Sequence, residues 1–232
     1  MATAVSDSKI ERLFKTGAHF AQAKRRRHPS MKPFILGAKA KVEIVDLVKT
    51  DEQLAAAKTA LAALAKDGKT VLFVGGKAEI ASILKDAAAR IGQPYVASRW
   101  LGGTISNFVE IKKRIDRLAD LLAKRESGEL AKLYTKLERV RIDREIDRLS
   151  ERLAGITDLT KRPDALVIVD TRHESHATKE AKDARIPIIA IMGSDCNVKD
   201  AAYPIVANDA SREAVTFILG ELSAAFEEGR KA

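Results

Sequence analysis

Very little in this chain invites covalent chemistry. A single cysteine, Cys196, stands among 232 residues, so no internal disulfide can form, and nothing around it has metal-ligand spacing. It reads as a small residue near a strand end, and its solitude fits a reducing cytoplasm. Aromatic residues are only 5% of the chain. No aromatic strand or KH-type glycine loop is visible, which argues against a module that stacks splayed bases. Long apolar runs are missing as well: none approaches the roughly 18 residues a membrane helix needs. Asp7, Lys9, Glu11 and Arg12 interrupt any signal-peptide core.

Apolar content and positive charge are plentiful by contrast. With 46% apolar residues the chain can bury a sizeable core. The net charge of +9 is unevenly placed: residues 1–50 carry 11 Lys and Arg against 4 Asp and Glu, residues 110–152 carry 13 against 10, and the remainder is close to neutral. The excess sits on two segments, the pattern expected where two elements face a polyanion.

Between residues 42 and 98 short apolar runs alternate with amphipathic stretches. Val42–Asp46 is a strand candidate, a helix is expected from about Asp51 to Ala65 with a stop at Asp67-Gly68, and Val71–Val74 is apolar throughout, as strands buried on both faces are. A helix from about Ala78 to Arg90 and a strand over Tyr95–Ser98 follow. The alternation resumes after residue 160 with strands at Ala165–Val169, Ile188–Met192 and Tyr203–Val206, a helix over about Ser175–Ala184, and a C-terminal helix that Asn208 or Asp209 can cap. The fold class expected is α/β, a Rossmann-like doubly wound parallel sheet with an inserted antiparallel coiled-coil helical hairpin. The expected division is a basic N-terminal arm over 1–41, a sheet domain over 42–103 and 154–232, and the hairpin over 104–153.

The hairpin reading rests on spacing. Ile105, Phe108, Ile111, Ile115, Leu118 and Leu122 form one seam, Glu126–Glu129 is a turn, and Leu130, Leu133, Leu137 and Val140 continue on the return helix before the phase slips ahead of Ile142. Thr104 or Ser106 is the expected cap of the outgoing helix.

Enzyme chemistry finds weak support. Gly75-Gly76-Lys77 follows a buried strand and could cradle a phosphate on backbone N–H groups, but its spacing fits neither familiar phosphate loop, so a tight turn is the better reading. Asp170, Thr171, Arg172, His173, Glu174 and His176 lie where α/β enzymes place catalytic groups, yet no third ligand or partner nucleophile accompanies the histidines. They read as capping and loop residues, and Asp195, Cys196 and Asn197 as a turn. No catalytic, cofactor or metal residue is assigned. Lys24-Arg25-Arg26-Arg27-His28 carries more: Pro29 ends any helix there and favours an extended segment whose cations can each approach a phosphate. Lys112, Lys113, Arg114 and Arg117 lie near the root of the expected arm, with Arg139, Arg141, Arg144 and Arg148 on its return helix.

The run Arg99-Trp100-Leu101-Gly102-Gly103-Thr104-Ile105-Ser106-Asn107 resembles the signature of the bacterial-type small ribosomal subunit protein two family. Gly17–Phe20, Arg25-Arg26, Met31–Ile35, Ile44–Leu47, Val71–Gly75, Pro163–Asp170, Ile186–Ala190 and Tyr203–Asp209 agree with it in order. The resemblance implies a structural constituent of the small ribosomal subunit that binds small-subunit rRNA. It also implies a place on the solvent side between head and body, late incorporation, and neighbouring ribosomal proteins including the large mRNA-binding one. The long arm points to a bacterial or organelle-type member. No cofactor, membrane or functional homo-oligomer is expected. RNA contacts are expected from Lys24, Arg25, Arg26, Arg27, His28, Lys32, Arg99, Asn107, Lys112, Lys113, Arg114 and Arg117, while Trp100 packs the arm's base and Gly102-Gly103 turn the chain. Ala21, Gln22 and Arg27 depart from the family pattern, in which glycine, histidine and tryptophan are common. An α/β nucleotide- or phosphate-binding enzyme and a coiled-coil interaction scaffold are the alternatives.

Overall fold

The computed structural model describes residues 2–231. Helix α1 (Ala2–Lys15) leads into three short strands, β1 (Phe20–Ala23), β2 (Ile35–Lys39) and β3 (Val42–Val45). These form a separate antiparallel sheet in the order β1-β3-β2. The strand expected at residues 42–46 therefore does not join the parallel sheet. The cause is the turn before it: Ala40 and Lys41 both take positive φ, 50° and 70°, the geometry that closes a two-residue hairpin. An Ala-Lys pair carries none of the Asn-Gly signal that would announce such a turn.

The parallel sheet is built as the alternation predicts. Helix α2 (Leu47–Lys66) starts four residues earlier than expected because the Asp46 side chain accepts the Val48 N–H, and it ends at Gly68, which has φ +63°. Strand β4 (Val71–Val74), α3 (Ala78–Arg90) and β5 (Tyr95–Val96) follow, then, beyond the insertion, β6 (Ala165–Val169), α7 (Ser175–Asp183), β7 (Ile188–Met192), β8 (Tyr203–Val206) and α8 (Arg212–Lys231). Helices α4 to α6 belong to the segment between β5 and β6. All pairings are parallel, in the order β5-β4-β6-β7-β8.

Both faces of the sheet are covered. Val71, Phe73, Ala165, Val167, Val169, Ile189 and Ile191 point into one core with residues of α2, α3 and α8. Leu72, Val74, Leu166, Ile168, Ile188, Ala190 and Met192 point into the other with Ala177 and Ala181 of α7 and the base of the insertion. Strict alternation across two apolar faces explains why these strands read as unbroken hydrophobic runs.

The insertion contains α4 (Phe108–Glu126), α5 (Glu129–Leu133) and α6 (Lys136–Leu153). Helices α4 and α6 pack along each other, with Ile111, Ile115, Leu118 and Leu121 of the first and Ile146 and Leu153 of the second buried. The return segment departs from the expected seam. Its break lies at Tyr134-Thr135 rather than between Val140 and Ile142, because Tyr134 is extended and Thr135 opens α6 with a reciprocal Thr135–Glu138 capping box. Leu133, Leu137 and Val140 consequently stand 64%, 63% and 41% exposed. The C-terminal cap also differs: Ser211 Oγ accepts the Ala214 N–H, Asn208 accepts from Ala210, and Asp209 turns inward toward Lys77.

Helix α8 lies so close to α2 that a Cβ at Gly229 would strike the backbone of Ala62, whereas a Cβ at Gly220 would meet nothing within 4 Å. Urea denaturation is expected to show Gly229→Ala losing about 2 kcal/mol through overpacking, while Gly220→Ala gains up to about 1 kcal/mol from helix propensity. Equal effects at the two positions would contradict this packing.

Candidate nucleic-acid interface

The signature loop is organised by a residue far from it in sequence. Glu180 of α7 accepts the backbone N–H groups of Gly103 (2.8 Å), Ile105 (3.1 Å) and Ser106 (3.3 Å) and the Trp100 indole N–H (3.3 Å). Burial works against its charge, yet the N–H groups of Gly103 and Ile105 and the Trp100 indole hold its carboxyl below the usual carboxylate range. Trp100 is buried in the core beneath the insertion with Met31, Val45, Leu72 and Ile105, and Gly103 has φ +95°. The packing role expected for Trp100 holds, and of the two glycines Gly103 takes the conformation that the turn requires. The expected cap does not hold. Thr104 donates to Leu101 O, Ser106 Oγ faces Glu180, and Asn107 occupies the N-cap position of α4 without a side-chain bond. Glu180, from another element, instead accepts the N–H groups of the loop that precedes the helix.

The base of the helical segment between β5 and β6 gathers more cation than the sequence suggested. A cleft of about 300 Å³ is lined by Leu101, Arg114, Arg117, Glu145, Arg148, Leu149 and Arg152. Arg117 pairs with Glu145 at 3.4 Å, and Arg114, Arg148 and Arg152 have no ion-pair partner among the described residues. Arg114 and Arg117 were expected there. Arg152 was missed, although Arg144, Arg148 and Arg152 recur every four residues, a helical stripe legible in the sequence. Lys112 and Lys113 are less available, paired within α4 to Asp116 (3.3 Å) and Glu110 (2.6 Å).

The N-terminal cluster is not an extended strand of cations. Lys24–Arg26 and Pro29–Phe34 are short 3₁₀ turns, which proline at the first helical position accommodates. Lys24, Arg25, Arg26 and Lys32 remain exposed. Arg27 does not: its guanidinium bonds Glu43 of β3 at 2.7 Å, and that carboxylate is 2% exposed with its second oxygen unpartnered. His28 is likewise structural, its Nδ1 accepting the Ser30 N–H and its own N–H donating to Ser194 O.

The loops that follow β4, β6, β7 and β8 form an internal charge cluster. The Gly75 N–H donates to Val96 O and the Gly76 N–H to Glu174, so neither is free to cradle a phosphate. Lys77 turns inward between Asp170 (2.6 Å) and Asp209 (3.0 Å). Burial pushes Asp209 up to about 6. Asp170 is held low against its own burial by Lys77 and the His173 N–H, and the two carboxylates hold the lysine in its charged form. Cys196 donates to Asp170 at 3.4 Å, and burial beside that carboxylate pushes the thiol up to about 12. Donor atoms of Asp170, Cys196 and Asp209 lie within 4.8 Å of one another, a spacing a metal could use, but the Lys77 ammonium occupies the place of the cation. A charged lysine and an un-ionised thiol supply no nucleophile.

Residues 13–229 match the sequence profile of the family described as Ribosomal protein S2. Similar proteins include the small ribosomal subunit protein uS2 of Coprothermobacter proteolyticus, 40% identical over 96% of this chain and 82% of the relative. That of Trichormus variabilis is 38% identical over 95% and 83%, and uS2c of Rhodomonas salina is 37% identical over 95% and 90%.

Two measurements test this arrangement. Glu180→Ala strips three backbone N–H groups of their acceptor and is expected to cost about 3 kcal/mol, with amide exchange accelerating first at Gly103, Ile105 and Ser106; uniform acceleration across the chain would contradict a local role. Lys77→Met leaves two buried carboxylates uncompensated and is expected to cost about 3–5 kcal/mol at neutral pH. Asp209 titrates above its unfolded value, so the folded chain retains a proton that the unfolded chain has released. Lys77 itself lowers Asp209, so its removal moves that carboxyl further up, and part of the loss should return as the pH falls, beginning above the value of about 6 that holds with the lysine in place. A deficit in urea denaturation that ignores pH would refute the assignment.

Proposed function

The chain belongs to the ribosomal protein S2 family, and we propose that it is a structural, non-enzymatic component of the small ribosomal subunit that grips small-subunit rRNA through the arginine cleft at the root of its arm. The observation that carries this reading is the cleft itself. Three guanidinium groups without carboxylate partners share one opening with a single Glu145. Like charges gathered at this density repel one another, and a phosphate backbone relieves the repulsion while accepting bidentate arginine bonds. Binding is carried by phosphate and shape rather than by bases, in keeping with the scarcity of aromatic residues.

In this reading α4 and α6 act as an antiparallel coiled-coil arm over residues 104–153, launched from a sheet domain over 42–103 and 154–232. The exposed Lys24, Arg25, Arg26 and Lys32 of the N-terminal segment add a second, weaker phosphate contact, together with Arg99 and Asn107 at the junction. Small-subunit rRNA and adjacent ribosomal proteins, among them the large mRNA-binding one, are the partners.

Filter binding of a small-subunit rRNA transcript over a salt series tests the reading. The unaltered chain should bind with steep salt dependence, and Arg114→Ala with Arg148→Ala should weaken binding and reduce the slope of log affinity against log salt by about two. Arg25→Ala with Arg26→Ala should act in the same direction. Arg27→Ala should chiefly lower thermal stability, because it leaves Glu43 buried without its partner. Affinity that does not respond to salt or to the arm substitutions would overturn the proposal.

A further inference from the structure

The order of strands in the parallel sheet reverses at β4: the chain passes from β4 to β5 on one side and takes up β6 on the other. Crevices form at such a reversal, beyond the carboxyl ends of the strands, because the two connections diverge there. In this chain the crevice is a cleft of about 410 Å³ lined by Gly76, Arg99, Trp100, His173, Glu174 and His176. Its residues come from the loops that follow β4, β5 and β6 and from the first turn of α7.

Polar groups inside the cleft divide into two sets. Glu174, on the floor, accepts the Gly76 N–H and the His173 Nδ1 proton, each at 2.8 Å through the same oxygen. A carboxylate can only accept, so this contact places the proton of His173 on Nδ1 and leaves Nε2 on a ring whose side chain is 50% exposed. Any Cβ at Gly76 would come within 2.9 Å of that carboxylate and 2.8 Å of Ser98 O, so the floor requires glycine. The second set is unengaged: Arg99 and His176 are exposed and have no hydrogen-bond or ion-pair partner among the described residues. Both α3 and α7 begin at this cleft, adding the positive ends of their backbone dipoles.

We propose that this cleft is a second anion seat, which takes one backbone phosphodiester of RNA between Arg99, His173 and His176. The arginine fork matches the two free oxygens of a phosphodiester, and His173 becomes a donor from Nε2 when its ring is doubly protonated, with Nδ1 still held by Glu174. A free nucleotide fits less well. The glycine-loop N–H groups that would hold a polyphosphate are bonded to Val96 O and Glu174, and Lys77 is turned into the interior. A metal is also poorly served, since no third His, Cys, Asp or Glu joins His173 and His176 in a ligand group among the described residues. The proposal rests on the reading that this chain binds rRNA and adds to it a site on the sheet domain, apart from the arm.

The test compares the full-length chain with its Arg99→Ala/His176→Ala variant, using the rRNA transcript and ADP as probes. Thermal unfolding should be unchanged, since both side chains are exposed. The variant should bind the transcript about tenfold more weakly, with the salt slope reduced by about one. Histidine ring resonances of the unaltered chain should shift with the transcript and not with millimolar ADP. Equal affinity and slope for variant and parent would overturn the proposal while leaving rRNA binding by the arm intact, and saturable ADP binding that moves His173 or His176 would reassign the cleft to free nucleotides. If the underlying reading fails, the unaltered chain binds no transcript at any salt concentration, and this seat falls with it. Should the double variant unfold, His176→Ala alone gives the same comparison.

Discussion

One carboxylate ties the two parts of this molecule together. Glu180 stands on α7, which is packed against the parallel sheet, and receives three backbone N–H groups and an indole N–H from the loop that launches the arm. Those amides lie in the turns ahead of Asn107, the N-cap of α4, and have no backbone acceptor among the described residues. Their satisfaction from another element fixes where the loop sits and therefore the direction in which α4 leaves the sheet. Arg99, Leu101 and Arg114 all follow from that placement. The cleft at the arm's root and the cleft at the strand reversal are both bordered by residues of this one loop.

Charge in the molecule is sorted by burial. Inside, Lys77 is matched by Asp170 and Asp209, and Arg27 by Glu43. These pairs satisfy one another, and their worth is structural, because removing either partner strands the other in a poor solvent. Outside, Arg114, Arg148, Arg152, Arg99, Arg25 and Arg26 have no carboxylate partner among the described residues. A surface cation without a partner adds little to stability, so their grouping is better explained by what approaches from solution. The same residue types thus do opposite work a few ångströms apart, and exposure separates the two roles.

The legible part of the fold was the part made by local periodicity. Strands β4, β6, β7 and β8 and helix α3 lie where the apolar alternation and spacing put them, since each is buried by a pattern internal to its own segment. Less legible were features that depend on a distant partner. The hairpin turn at Ala40-Lys41 has no turn-forming residue to betray it. Helix α6 begins at Lys136 with Thr135 as its cap, although the apolar spacing continues through this point, because a capping box competes with a seam that finds no partner surface. Arg27 belongs by composition to a cationic run, yet a glutamate on β3 removes it from the surface.

The residues in order were sufficient for the α/β class, the positions of most strands, the insertion and its charge, and the resemblance that anticipated the family. Each of these arises from geometry that repeats every two or every 3.6 residues, or from a contiguous motif. Folding settled which charged groups are free. Glu180 meets Gly103 across a sequence separation of 77, and Lys77 meets Asp209 across one of 132. An ionisable side chain looks the same in sequence whether it faces water or a counter-ion. Its availability to an outside phosphate is decided by long-range packing, and so the candidate interface, unlike the sheet, had to be read from the folded chain.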